Sequence, residues 1–157
     1  MIIDIGNTRM KVALYVRNQL DGVLTFSNRA HRQVADLVEN TQAEHGIISN
    51  VTNLPRPLSD VFHENLSIIE LNGTTPLPIK LEYKTLDTLG SDRIANAVGA
   101  YKNYPNKNVL IIDFGTCIKY DVITAGGVYM GGAIAPGVQM RFKSMNQMTG
   151  KLPLIKN

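Results

Sequence analysis

Two short stretches of this 157-residue chain set a carboxylate, a glycine turn, a hydroxyl and a lysine in the same order. The first is Asp4-Ile5-Gly6-Asn7-Thr8-Arg9-Met10-Lys11, and the second is Asp113-Phe114-Gly115-Thr116 followed by Lys119. Each comes after an apolar run and before another strand-like segment. Glycine lets the backbone turn tightly enough for successive N–H groups to point at phosphate oxygens, and Thr and Asn add neutral donors. An aspartate at the strand end can hold a hydrated Mg²⁺ that bridges β- and γ-phosphates. Lys11, on the strand leaving the first turn, can neutralise phosphate charge. Taken singly, each stretch is also what an ordinary hairpin turn prefers. Their repetition at the head of two segments points to duplicated domains that bind phosphate across a cleft, without naming a substrate.

A third constellation is Gly90-Ser91-Asp92-Arg93. Ser91 is an N-cap candidate for a helix predicted over 91–104, with Ile94, Ala97, Val98 and Tyr101 on one face. Asp92 then falls in the first turn, where the macrodipole favours a carboxylate. Such a group can orient a hydroxyl for in-line attack, and in a loose phosphoryl-transfer transition state positioning outweighs strong basicity. Arg93 suits a substrate carboxylate or the transferring phosphoryl group. The plain alternative is an N-cap followed by ordinary helix-end charges. His31, His45 and His63 lack the spacing of metal ligands. Cys117 has no histidine near it in sequence and suits a small apolar packing role, while Met140, Met145 and Met148 suit a core or an interface.

The elements that must position these groups alternate. Strands are predicted at 1–5, 10–16 and 22–26, a helix over 33–42, a buried strand over 46–51, a helix over 58–65 and a short buried strand over 67–71. Residues 72–81, rich in Gly, Thr and Pro, read as loop. Tyr104-Pro105-Asn106-Lys107-Asn108 breaks the helix pattern and divides the chain into a domain over 1–105 and the start of a second over 109–157. The second opens with a strongly buried strand at 109–113, continues with strands at 118–123 and 128–135, and ends in a helix with Val138, Phe142 and Met145 on one face. This is an α/β pattern.

Composition narrows the class. The chain is 44% hydrophobic, so it can bury a core. One cysteine excludes an internal disulfide framework and fits a reducing compartment. No apolar run suits a membrane span, and the N-terminus lacks the pattern of a secretory signal, so a cytoplasmic protein without a membrane partner is expected. The net charge of +3 is spread along the chain, and there is no Trp, so nothing resembles a nucleic-acid platform.

The motifs together resemble those of type III pantothenate kinases, within the acetate and sugar kinase, Hsp70 and actin superfamily. Residues 4–11 are similar to the family's first phosphate loop, and Asp113-Phe114-Gly115-Thr116 to its second. Gly90-Ser91-Asp92-Arg93-Ile94-Ala95-Asn96-Ala97 resembles G-x-D-R-x-A-N-A. Tyr129-Met130-Gly131-Gly132-Ala133-Ile134-Ala135-Pro136-Gly137 resembles G-x-Y-x-G-G-x-I-x-P-G, and Thr149-Gly150-Lys151-Leu152-Pro153 the T-A-x-L-P after it. The resemblance implies duplicated RNase-H-like (actin-like ATPase) domains, the second incomplete in this chain, with ATP in the cleft and a homodimer as the assembly. It implies ATP-dependent phosphorylation of pantothenate to 4'-phosphopantothenate, the first step of coenzyme A biosynthesis. Asp92 becomes the general base; Tyr83, Gly90, Ser91, Asp92 and Arg93 contact pantothenate. Asp4, Ile5, Gly6, Asn7, Thr8, Arg9, Met10, Lys11 and Thr116 hold ATP. Asp4 reaches Mg²⁺ through water, and Asp113 binds a monovalent cation, K⁺ or NH₄⁺. Two departures stand out: Lys119 where the family often has Thr, and Cys117 where it often has Ala. Another small-molecule kinase of the superfamily, or a non-catalytic nucleotide-binding or regulatory relative, is the alternative.

Overall fold

The computed structural model describes residues 1–41, 43–53 and 66–155. The helix predicted over 58–65 lies outside the described residues. The contacts divide the chain into two compact units: Met1–Pro76 with Thr85–Ala95, and Leu77–Lys84 with Asn96–Asn157. This differs from a linear partition at 105 and 109, because the division falls inside a helix and residues 77–84 group with the later segment.

In the first unit, β1 (Ile2–Ile5), β2 (Arg9–Val16) and β3 (Gln19–Ser27) form an antiparallel meander. Helix α1 (His31–Asn40) precedes β4 (His45–Asn50), which runs parallel to β1, and β5 (Ser67–Glu70) runs parallel to β4. The resulting sheet has the order β3-β2-β1-β4-β5. Period-two alternation turns Ile3, Ile5, Met10 and Val12 to one face, where they meet Val34 and Val38 of α1 and Ile48 of β4. Burying aliphatic side chains of this size contributes about 1.5–3 kcal/mol each, so this cluster anchors the strand ends that carry the first turn.

The second unit holds a four-stranded sheet in the order β6-β9-β8-β7, built from β6 (Lys80–Leu81), β7 (Val109–Phe114), β8 (Cys117–Ile123) and β9 (Val128–Pro136). Strand β6, within a stretch predicted as loop, pairs in parallel with β9 through Leu81 and Tyr129. Helix α2 (Ser91–Asn103) contributes its later residues here, and α3 (Val138–Gln147) follows β9. The α2 face is as expected at Ile94 and Ala97, both fully buried, while Val98 and Tyr101 are half-buried.

One expectation for this unit fails. Strand β7 is not strongly buried: Leu110, Ile112 and Phe114 alternate outward and are 46–71% exposed. It is an edge strand, and one of its faces is uncovered among the described residues. Helix α3 forms where a helix was expected and buries none of its residues, so Val138 and Met145 are exposed together with Met148. No helix among the described residues is long and apolar enough to cross a membrane.

Candidate functional site

The first turn is closed by the Gly6 N–H donating to the Arg9 carbonyl at 3.0 Å, which leaves Asn7, Thr8 and Arg9 exposed. Asp4 sits half-buried near the end of β1, directly opposite Lys11 of β2 and beside Ser49 of β4. The side chains of Ile5 and Met10 are buried in the core and support the turn from beneath, so any ligand contact they make is through the backbone. What remains at the surface is a carboxylate, an amide, a hydroxyl and two cationic side chains around one strand end. These oxygen donors fit a hydrated divalent cation, and Lys11 fits a phosphate.

The same unit carries Asp92. Ser49 and Ser91 are both buried, and their hydroxyls lie 3.1 Å apart. The Ser91 hydroxyl also lies 3.2 Å from the Asn50 carbonyl, which accepts from it. Ser91 is therefore a tie between the end of β4 and the start of α2, and Asp92 follows it in the first helical turn. The Asp92 carboxylate accepts from the Arg93 N–H at 2.8 Å. A Cβ on residue 90 would lie only 2.7 Å from Asp92 Oδ1, so Gly90 makes the room that this carboxylate occupies. Asp92 is half-buried, whereas Arg93 is 5% exposed. A groove of about 610 Å³ in this unit runs past Asn50, Asn72, Thr74 and Asp87 to Gly90 and Ser91, a volume that small-molecule sites have.

The second turn belongs to the other unit. The Gly115 N–H donates to the Cys117 carbonyl at 3.0 Å, and the Gly137 N–H to the Thr116 carbonyl at 3.1 Å, so the end of β9 braces the turn. Asp113 and Lys119 are opposed across β7 and β8, with Lys119 Nζ 2.7 Å from Asp113 Oδ2. The Asn96 side-chain amide donates to the same oxygen at 3.3 Å. A lysine ammonium thus already stands at the carboxylate expected to bind K⁺ or NH₄⁺, and this donor set does not fit a free monovalent cation.

Tyr83 follows β6, and its ring centroid lies 6.3 Å from that of Tyr129. A Cβ on Gly131, whose φ is +81°, would come within 3.2 Å of the Tyr83 ring, so glycine at this position lets the ring lie against β9. Tyr129 is fully buried and donates its hydroxyl to Asp121, itself 1% exposed, at 2.7 Å.

A model of the type III pantothenate kinase family matches this sequence over residues 1–157. The chain belongs to the type III pantothenate kinase family. A type III pantothenate kinase of Christiangramia forsetii is 42% identical over 160 residues, covering 99% of this chain and 65% of that protein. One from Phocaeicola vulgatus is 41% identical over 156 residues, covering 99% and 64%. The chain therefore spans slightly less than two-thirds of the length of these relatives. Among solved structures, a Campylobacter jejuni protein assigned to a Baf family of transcriptional activators aligns with a TM-score of 0.57 at 20% identity, covering 94% of this chain and 60% of that one. A Sinorhizobium meliloti protein assigned as a 2-dehydro-3-deoxygalactonokinase aligns at 0.53 and 9% identity, covering 94% and 57%. At these identities the likeness is one of fold, and it is the α/β fold expected.

Set beside the type III pantothenate kinase motifs, the first unit brings together Asp4, Lys11, Ser49, Ser91 and Asp92 around one end of its sheet, and the second unit brings Asp113, Thr116 and Lys119 around one hairpin. Sequence reasoning gave no part to Ser49, Asn96, Asp121 and Tyr129, which the structure sets beside the candidate residues. Asn96 and Tyr129 stood inside quoted motifs without a role. Ser49 and Asp121 carried no signal, because each matters through a partner on another strand or helix.

Proposed function

We propose that the protein containing this chain transfers the γ-phosphoryl group of ATP to pantothenate, forming 4'-phosphopantothenate at the entry to coenzyme A biosynthesis. The observation that carries the reading is Asp92: a half-buried carboxylate in the first turn of α2, given room by Gly90 and fixed in place by the Ser49–Ser91 tie. A carboxylate held this way accepts the proton of an attacking hydroxyl and aims its oxygen at phosphorus. Gly90, Ser91, Arg93 and Tyr83 are the pantothenate-side residues, with Ser91 acting through its backbone because its hydroxyl is engaged.

The Gly6 turn with Asn7, Thr8, Arg9 and Lys11 receives the polyphosphate, and Thr116 belongs to the second phosphate loop. Asp4 holds Mg²⁺ through water, and the ion, when bound, offsets charge on the β- and γ-phosphates. Two RNase-H-like domains, a homodimer and a cytoplasmic location complete the reading.

The test is ATP-dependent phosphorylation of pantothenate by the full-length protein with Mg²⁺ and K⁺ present, compared with Asp92→Asn. Loss of a general base removes about 10²–10⁴-fold of rate, so kcat should fall in that range while ATP affinity is kept. ATP binding without product from pantothenate would leave a kinase of another small alcohol. Equal turnover in parent and variant would remove Asp92 from the reaction.

A further inference from the structure

Asp113 and Lys119 face one another across β7 and β8, so the register of the hairpin sets the lysine beside the carboxylate. The contact is 2.7 Å, and the two side chains are 36% and 17% exposed. Asn96 donates to the same Oδ2. That oxygen therefore faces two N–H donors, one of them carrying a full positive charge in a partly buried setting where salt screens little. A free monovalent cation at this oxygen has to displace Nζ or lie against it as a like charge.

The chemistry of the replacement is conservative. A lysine head is a compact ammonium with three donors, and a carboxylate that accepts NH₄⁺ accepts the same group on a tether. The tether also removes the dependence on ion concentration, because the partner is always at hand. A threonine at this position would bring no charge and leave the carboxylate to an ion.

We propose that Lys119 supplies from within the chain the single positive charge that Asp113 would otherwise take from K⁺ or NH₄⁺, so that ATP binding and phosphoryl transfer here depend on neither ion. This rests on the phosphotransferase reading above. The experiment measures ATP affinity calorimetrically in the full-length protein at one ionic strength, with K⁺, NH₄⁺ or tetramethylammonium as the monovalent cation, and pantothenate turnover in the same buffers. The parent should give values within about twofold of one another in all three, well below the tenfold that one lost charge-assisted contact costs. Lys119→Thr should bind ATP about 10- to 100-fold more weakly in tetramethylammonium and recover in K⁺ or NH₄⁺.

A parent whose ATP affinity rises about tenfold with K⁺ overturns the proposal, and that comparison needs no variant to fold. A Lys119→Thr protein indifferent to the ion overturns it too. Because the affinity measurement involves no acceptor, failure with pantothenate alone strikes the substrate reading and not this one. Absence of ATP binding in every buffer overturns both.

Discussion

The two hairpins that carry the repeated Asp–Gly–Lys pattern share a design and differ in how the charges are used. In each, the register sets the aspartate directly opposite the lysine: Asp4 against Lys11, and Asp113 against Lys119. The first turn is closed from Gly6 to Arg9 and the second, one residue tighter, from Gly115 to Cys117. Lys11 is exposed, whereas Lys119 is folded down onto its aspartate with 17% of its side chain accessible. One lysine reaches into solvent and the other is committed to a partly buried carboxylate. Copies of a motif need not keep the role of each residue, and pairing geometry tells the roles apart where spacing does not.

Replacing each lysine tests that difference, and the larger effect belongs to Lys11. Lys11→Ala should lower kcat/KM for ATP by about 10²-fold, the worth of a charge-assisted contact of roughly 2–3 kcal/mol. Added K⁺ should not restore it, because the lost group meets phosphate rather than a carboxylate. If Lys11→Ala and Lys119→Thr fell equally and K⁺ rescued both or neither, the two hairpins would be doing one job. Steady-state kinetics with ATP varied, with and without K⁺, decides between these outcomes.

Much of this was legible in the chain. The β-branched runs around residues 2–5, 46–51 and 109–113 gave strands, and the spacing of Ile94, Ala97, Val98 and Tyr101 gave α2. The Gly-containing turns gave both hairpins. Facing was harder to read, because a one-residue change of register flips every side chain. Spacing gave Asp113 and Lys119 but not their contact. The Asp121–Tyr129 bond depends on a bulge between Val122 and Ile123, which leaves Met130 over and brings Tyr129 opposite Ile123, on the same face as Asp121. Strand β6 is two residues long in a Gly- and Pro-rich stretch, and only its distant partner β9 makes it a strand. The outward face of β7 was harder to read for a related reason: apolar periodicity shows which face seeks cover, not whether a described element supplies it.

The interiors behind the hairpins differ as well. The first unit sets only a neutral hydroxyl pair, Ser49 and Ser91, beside its apolar cluster, whereas the second sheet encloses a carboxylate in the Asp121–Tyr129 hydrogen bond. Tyr129→Phe keeps the ring and removes the donor, so it should cost about 1–2 kcal/mol of stability in denaturant unfolding, the penalty for a buried group short of a partner. It should also raise KM for pantothenate several-fold with kcat for saturating substrate nearly kept, since Tyr83 rests near that ring. Unchanged KM would confine the pair to stability, and equal losses in every parameter would indicate general disruption.

The smallest effect sharpens the comparison by supplying a control for the internal pair. Lys80 and Glu82 also meet at 2.8 Å, but their side chains are 71% and 46% exposed, and they lie two residues apart at the end of β6 rather than opposed across a hairpin. Water competes for both heads and holding them costs side-chain entropy, so the bond is worth no more than about 0–1 kcal/mol. Glu82→Gln should therefore shift stability by at most about 0.5 kcal/mol, and ATP affinity should stay the same in K⁺ and in tetramethylammonium. If this exposed pair altered the ion response as Lys119→Thr does, the response would report surface charge in general. A difference between the two variants ties it to the carboxylate that the β7–β8 register places under Lys119.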